Sequence, residues 1–202
     1  YLLELVREAE RVREIVLKPL GAYARKILII GGGGYIGTVL SVSLVERGFE
    51  VRNLDNLTYN HGLATVPLLS NPAYEFVYGN LSDREILKKS LEGITDVILL
   101  AGLVGDPVTA KYPEEAARVN DDGYDTILSE LESRELNRVI FVSTCSNYGL
   151  IEDGLTANEE FELQPLSLYA ESKVRIERIL MSMQSGIKFD PVILRFATAF
   201  GL

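Results

Sequence analysis

The tightest constraint on this chain is an abrupt change of residue type at position 31. Lys-Ile-Leu-Ile-Ile (26–30) is a continuous apolar run, and Gly-Gly-Gly-Gly-Tyr-Ile-Gly (31–37) follows it with no linker. A short unbroken apolar run suits a strand buried on both faces of a parallel sheet. Glycines at 31, 34 and 37 then fit a tight strand-to-helix turn. Such a turn needs a residue tolerant of positive φ, and a pyrophosphate approaching a helix N-terminus needs a neighbour without a side chain. Gly37 lets the helix pack closely on the strand, and the backbone N–H groups of Tyr35 and Ile36, rather than their side chains, are the ones expected to face the phosphates. Asp55 ends the next strand-like run, where a carboxylate accepts hydrogen bonds from adenosine ribose hydroxyls and repels a 2′-phosphate. That favours NAD over NADP. A glycine triplet alone marks only a turn; the strand before it, the helix after it and the acid beyond make it a dinucleotide motif.

The same alternation runs along the chain. Strands are expected near 50–54, 74–78, 96–101, 138–143 and 191–196, and helices over 35–47, 83–92, within 113–134 and over 166–184. The stretch 56–73, with Gly62, Pro67 and Pro72, reads as a loop with a partial helix. Strands alternating with helices imply right-handed crossovers and an α/β fold with a doubly wound parallel sheet, a Rossmann fold. Residues 2–18 add an extra N-terminal helix, with apolar groups at 2, 5, 6, 9, 12 and 16 on one stripe, ended by Pro19 and Gly21. The expected division is therefore a helix and linker over 1–22 and a nucleotide-binding domain over 23–202. The stripe must bury somewhere, in an oligomer contact or across a sheet edge.

Composition removes several classes of function. A net charge of −9 repels polyphosphate backbones, which disfavours nucleic acid as a partner. One cysteine, Cys145, and one histidine, His61, allow neither an internal disulfide nor a His/Cys metal cluster, and both facts fit a cytoplasmic protein. No apolar run approaches the roughly 20 residues that span a bilayer, so no membrane partner is expected. His61 reads as a solvated loop residue. Cys145 has no evident activating base in sequence and reads as a small wall residue.

Candidate chemistry lies further on. Tyr169 and Lys173, four residues apart in Tyr-Ala-Glu-Ser-Lys (169–173), share one helix face with Cβ atoms about 5–6 Å apart. A tyrosine with a pKa near about 10 is a poor base at neutral pH until a nearby ammonium favours its phenolate, which Lys173 is placed to do. Tyr-x-x-x-Lys also occurs on ordinary amphipathic helices, where the tyrosine only packs. Upstream, Ser-Thr-Cys-Ser-Asn-Tyr-Gly (143–149) begins at the carboxyl end of the expected fifth strand, where open α/β sheets bind ligands. Thr144 there is placed to hydrogen-bond a substrate hydroxyl or carbonyl and align it with Tyr169.

The ordered set of motifs resembles the extended short-chain dehydrogenase/reductase family, especially its sugar-nucleotide epimerases and dehydratases. The resemblance spans the glycine turn, Asp-Asn-Leu (55–57), Gly-Asn-Leu-Ser-Asp (79–83), Asp-Val-Ile-Leu-Leu-Ala-Gly (96–102), Val-Asn (119–120) with Gly123, the 143–149 and 169–173 motifs, and Leu-Arg-Phe-Ala-Thr-Ala-Phe-Gly (194–201). It implies an NAD-dependent epimerase acting on a nucleotide sugar, with Tyr169 as acid and base and Lys173 also holding the nicotinamide ribose. Asn56 belongs to the ribose-side motif, Asn80 and Leu81 to the adenine side, and Ala101, Gly102 and Leu103 to the strand end that approaches the cofactor. Asn120 matches an asparagine that supports the active-site helix and a proton-relay water; by its residue type alone it is a helix-breaking turn residue.

Five positions depart from the family pattern. Cys145 and Ser146 stand where 4,6-dehydratases carry an acidic pair, which disfavours dehydration. Asn80 replaces a frequent aspartate, Leu99 a usual histidine, and Thr198 an asparagine that meets the substrate phosphate. Family members place a small C-terminal substrate domain after the Leu-Arg strand, so that domain is expected to be largely missing here. The alternatives left open are a keto-sugar reductase and a catalytically incomplete NAD-binding or interaction module. The family's two-helix dimer makes a homodimer an expectation as well.

Overall fold

The computed structural model describes residues 25–152, 154–183 and 186–200. The helix expected over 2–18, and with it the division at residue 22, lies outside the described residues. Six strands, β1 (Lys26–Ile30), β2 (Glu50–Asp55), β3 (Tyr74–Tyr78), β4 (Asp96–Leu99), β5 (Glu135–Thr144) and β6 (Lys188–Phe196), form one sheet in the order β3-β2-β1-β4-β5-β6. All neighbours pair in parallel. This is the Rossmann order, in which the direction of strand addition reverses between β1 and β4 and opens a crevice at the carboxyl ends.

The central strand shows why its sequence is apolar throughout. Leu28 and Ile30 pack on one face with Leu54, Val97, Leu99 and Phe141, whereas Ile27 and Ile29 pack on the other with Val51 and Ile98. Both faces are covered, so alternation with polar residues would bury unpaired groups. Helix α1 (Tyr35–Glu46) sends Leu40, Leu44 and Val45 to the second face. The first face is covered by α2 (Arg84–Ser90) through Leu87, by α5 (Gly123–Leu131) through Tyr124, Ile127 and Leu131, and by α6 (Leu168–Ser182) through Ile176 and Leu180.

The elements differ from the sequence reading in three informative places. The partial helix expected within 56–73 is a 3-10 helix over Gly62–Leu68. A helix not expected from the sequence, α3 (Asp106–Lys111), begins after Gly105 at φ 91° with proline in its first turn. It runs by way of Tyr112 into α4 (Pro113–Ala117), which continues through a π-helical turn at Arg118–Asp122 into α5. β6 starts three residues before Pro191, because it is an edge strand and tolerates the missing N–H.

Candidate active site

The glycine turn is fixed from beneath by buried polar groups. The Asn53 amide nitrogen on β2 lies 3.0 Å from the Gly32 carbonyl, 3.0 Å from Ser41 Oγ and 2.9 Å from the Tyr74 hydroxyl, and shares its two hydrogens among them. Ser41 on α1 in turn donates to the Gly37 carbonyl at 2.7 Å. Gly31 takes φ 89°, and a Cβ there would lie 2.5 Å from the Ala101 nitrogen; at Gly37 it would lie 2.6 Å from the Gly32 Cα. Those two glycines are required by the protein's own backbone. Gly34 is different. An added Cβ would meet nothing closer than the Gly31 carbonyl at 3.6 Å, yet Gly34 lines the cleft as the N-cap of α1. The helix has no side-chain cap and no acidic residue in its first turn. Protein packing leaves Gly34 unexplained, whereas an anion drawn to the positive end of α1 would need it bare.

The cleft has a volume of about 550 Å³ and runs along the carboxyl ends of the strands. Gly31, Gly34, Tyr35, Ile36, Gly37, Asp55, Asn56, Asn80, Leu81, Ala101, Gly102 and Leu103 all line it, together with Thr144, Tyr169 and Lys173. Asp55 accepts the Gly33 N–H at 2.9 Å on one oxygen and the Leu57 N–H at 2.7 Å on the other. Each carboxylate oxygen keeps a second lone-pair direction for a ligand hydroxyl. Asn80 Oδ1 accepts from Ser82 N and Oγ, and Leu81 packs where a Cβ on Gly123 would collide with it.

At the other end, Thr144 closes β5 and its hydroxyl hydrogen-bonds both Tyr169 and Ser146. Ser167 caps α6 by accepting the Ala170 N–H at 3.2 Å, and its hydroxyl donates to Asp106 Oδ1 at 2.6 Å. This fastens the start of the helix that carries Tyr169. Lys173, 4 % exposed, donates to the Val142 carbonyl at 3.0 Å.

Electrostatics here departs from expectation. The Tyr169 phenol is pushed up from its ordinary value, first by burial and then by the Asp106 carboxylate, with the Thr144 hydrogen bond opposing them. The expected lowering of the phenol by Lys173 does not dominate, because burial removes the solvation a phenolate needs. Burial also pushes Lys173 down from 10.5 to about 8, with Glu177 acting against it. Between those two values the unfolded chain binds the extra proton, so stability gains from Lys173 as pH rises from about 8 to 10.5, by about 3 kcal/mol. Above pH 10 the buried phenols Tyr124 and Tyr169, both raised, act in the opposite sense. Urea unfolding of the chain and of Lys173→Met at about pH 7 and about pH 9, roughly one unit either side of the Lys173 midpoint, checks this. The variant should lose the rise; an equal rise in both would assign it elsewhere.

Asn120 stands behind the cleft wall rather than in it. It sits in the π-helical turn, and its amide both accepts the Leu103 N–H at 2.8 Å and donates to the Leu103 carbonyl at 3.0 Å. Its hydrogen bonds hold Leu103. Sequence reasoning missed Asp106, Tyr59, whose hydroxyl accepts the Val104 N–H at 3.3 Å, and the buried Asn147, Glu177 and Arg195 group. No short motif signals Asp106, Tyr59 or Glu177, and the 143–149 and 194–201 motifs that contain Asn147 and Arg195 do not signal their pairing through Glu177, since each contact joins segments far apart in sequence. Among the described residues, no group of three or more His, Cys, Asp or Glu could hold a metal ion, and no helix is long and apolar enough to cross a membrane.

The fold and this cleft define a dinucleotide-binding protein with a Thr-Tyr-Lys set beside the binding crevice. Residues 27–202 match the family described as NAD dependent epimerase/dehydratase, and the chain belongs to that family. It is 30% identical over 186 residues to dTDP-D-glucose 4,6-dehydratase from Homo sapiens, covering 90% of this chain and 53% of that protein. It is 32% identical over 184 residues to UDP-glucose 4-epimerase from Erwinia amylovora, covering 87% of this chain and 53% of that one. Among solved structures, UDP-glucuronic acid 4-epimerase from Bacillus cereus in complex with UDP-glucuronic acid and NAD superposes with a TM-score of 0.80 at 25% identity, over 87% of this chain and 57% of that one. The chain thus spans about half the length of the curated relatives it matches.

Proposed function

We propose that the chain is the cofactor-binding part of an NAD-dependent nucleotide-sugar epimerase. The carrying observation is that one cleft joins the glycine turn and Asp55 at one end to Thr144, Tyr169 and Lys173 at the other. NAD fits this cleft: the first turn of α1 and Gly34 would take the pyrophosphate, Asp55 and Asn56 the adenosine ribose, Asn80 and Leu81 the adenine side, and Ala101 to Leu103 the nicotinamide side. Bound there, it would supply the hydride acceptor and donor that makes oxidation of a sugar carbon transient.

The chain's own residues manage the proton. Thr144 orients the substrate hydroxyl, Tyr169 Oη accepts its proton and later returns it, and Lys173 holds positive charge behind the phenol and donates to the ribose. Asn120 acts indirectly by holding Leu103. An acidic pair after Thr144 would support elimination of water, but Cys145 and Ser146 stand there, which favours epimerisation over dehydration. The lone exposed thiol of Cys145 is compatible with a reducing cytoplasm. We place the dimer contact on the helices 113–131 and α6, whose Leu168 is half exposed.

Calorimetric titration with NAD and NADP tests the cofactor reading. NAD should bind in preference to NADP, and both Asp55→Ala and Gly34→Ala should weaken NAD by at least about tenfold. Gly34→Ala should unfold at the wild-type urea midpoint, because the added methyl meets only ordinary contacts. Absence of binding to either dinucleotide would leave the interaction-module reading. Appearance of net NADH or NAD with a sugar nucleotide would replace epimerase by keto-sugar reductase, since an epimerase returns its cofactor unchanged.

A further inference from the structure

Lys173 is a buried cation, and its surroundings are mostly aromatic. Its Nζ lies 4.7 Å from the Phe141 ring centroid, 5.7 Å from that of Tyr124 and 5.8 Å from that of Tyr169. Phe141 on β5 is fully buried and meets Tyr124 on α5 edge-on, with centroids 5.6 Å apart and planes at 75°. The Tyr124 hydroxyl donates to the Ala101 carbonyl at 2.7 Å, which ties this ring to the cleft wall. An ammonium within about 6 Å of a ring face is attracted by the ring quadrupole, most strongly where water is excluded.

We propose that Phe141 and Tyr124 are positioning residues that keep the Lys173 ammonium charged and aimed at the cleft. The proposal rests on the reading of Lys173 as a cofactor- and phenol-facing group, but its test needs no cofactor. One N–H of the ammonium is taken by the Val142 carbonyl, and the rings supply attraction without accepting the remaining hydrogens as an oxygen would. Those hydrogens stay available to a ligand in the cleft. The charged and titratable groups facing Lys173 are Tyr169 and Glu177 on α6 and Tyr124 on α5, with Arg195 of β6 bonded to Glu177. β5 contributes the Phe141 ring and the Val142 carbonyl. Glu177 is already committed to Arg195 and Asn147, which leaves the rings as close partners of the charge.

The test is a titration of the Lys173 side chain by NMR in the full chain labelled with ¹³C-lysine, with Lys173→Met assigning the signal. The wild-type midpoint should lie near about 8. Replacing Phe141 by trifluorophenylalanine keeps the ring's shape while removing most of its quadrupole, and should lower that midpoint by roughly half to one and a half pH units. Phe141→Leu should lower it too, whereas Tyr124→Phe, which retains the ring and loses only the hydroxyl, should leave it in place. An unchanged midpoint in the fluorinated protein overturns the proposal. Failure of NAD to bind, with the midpoint shifted as expected, would overturn the epimerase reading and leave the cage standing.

Discussion

Tyr169→Phe is expected to lower turnover of a nucleotide sugar by about 10²–10⁴-fold, the usual contribution of a positioned acid–base group. NAD affinity by calorimetry should be unchanged. The substitution removes one oxygen and keeps the ring that faces Lys173, so folding and the lysine's surroundings are preserved. The loss is expected because Tyr169 Oη is the proposed proton acceptor, and Thr144 acts on the same phenol in the cleft. Because burial and Asp106 push the phenol up, wild-type turnover should still be rising with pH above neutrality. A variant that keeps more than about a tenth of the activity would assign the proton to another base, and Asp106 would be the first to examine.

Glu177→Ala is expected to destabilise the fold by about 3–5 kcal/mol, read as a shift of the urea midpoint at constant slope. Glu177 accepts from Arg195 through both oxygens, the shortest contact being 2.7 Å, and from the Asn147 amide at 2.8 Å. Its side chain is 4% exposed and that of Arg195 19%. Removing the carboxylate leaves the Arg195 guanidinium, still bonded to the Tyr148 hydroxyl and the Glu159 carbonyl, without its counter-charge and an Asn147 amide hydrogen without its acceptor, and the Asn147 Oδ1 already lacks a partner among the described residues. Replacing both members, Glu177→Leu with Arg195→Met, should recover much of the loss, because no uncompensated charge remains. A cost for Glu177→Ala below about 1 kcal/mol would mean that Arg195 turns to solvent and that the pair contributes little.

The sheet was legible because its strands are short apolar runs dictated by two-sided burial, as Leu28 and Ile29 show by facing opposite layers. The glycine turn was legible for a related reason: positive φ at Gly31 and backbone contact at Gly37 leave a direct mark on residue type. Helix α3 left none, since six residues cannot display a helical period and Tyr112 breaks the pattern at once. The π-helical turn around Asn120 was equally silent, because it changes phase without changing composition. At the site, spacing placed Tyr169 and Lys173 on one face, but it carries no measure of desolvation, which governs both groups in the folded chain. Asp106 and Tyr59 reach the site through tertiary contacts that local pattern does not encode.

The placement of β1 between β2 and β4 also sets a timetable for the nascent chain. One edge of β1 is satisfied as soon as β2 emerges, but the other pairs with β4, with Lys26 meeting Thr95 across 69 residues. At about 5–20 residues per second, a ribosome leaves that apolar edge open for roughly 3–14 seconds. During that interval it is a template for a chaperone or for the same strand of a neighbouring polysome product. Slower translation between residues 26 and 95 should therefore lengthen that exposure, a property of the message rather than of the folded molecule.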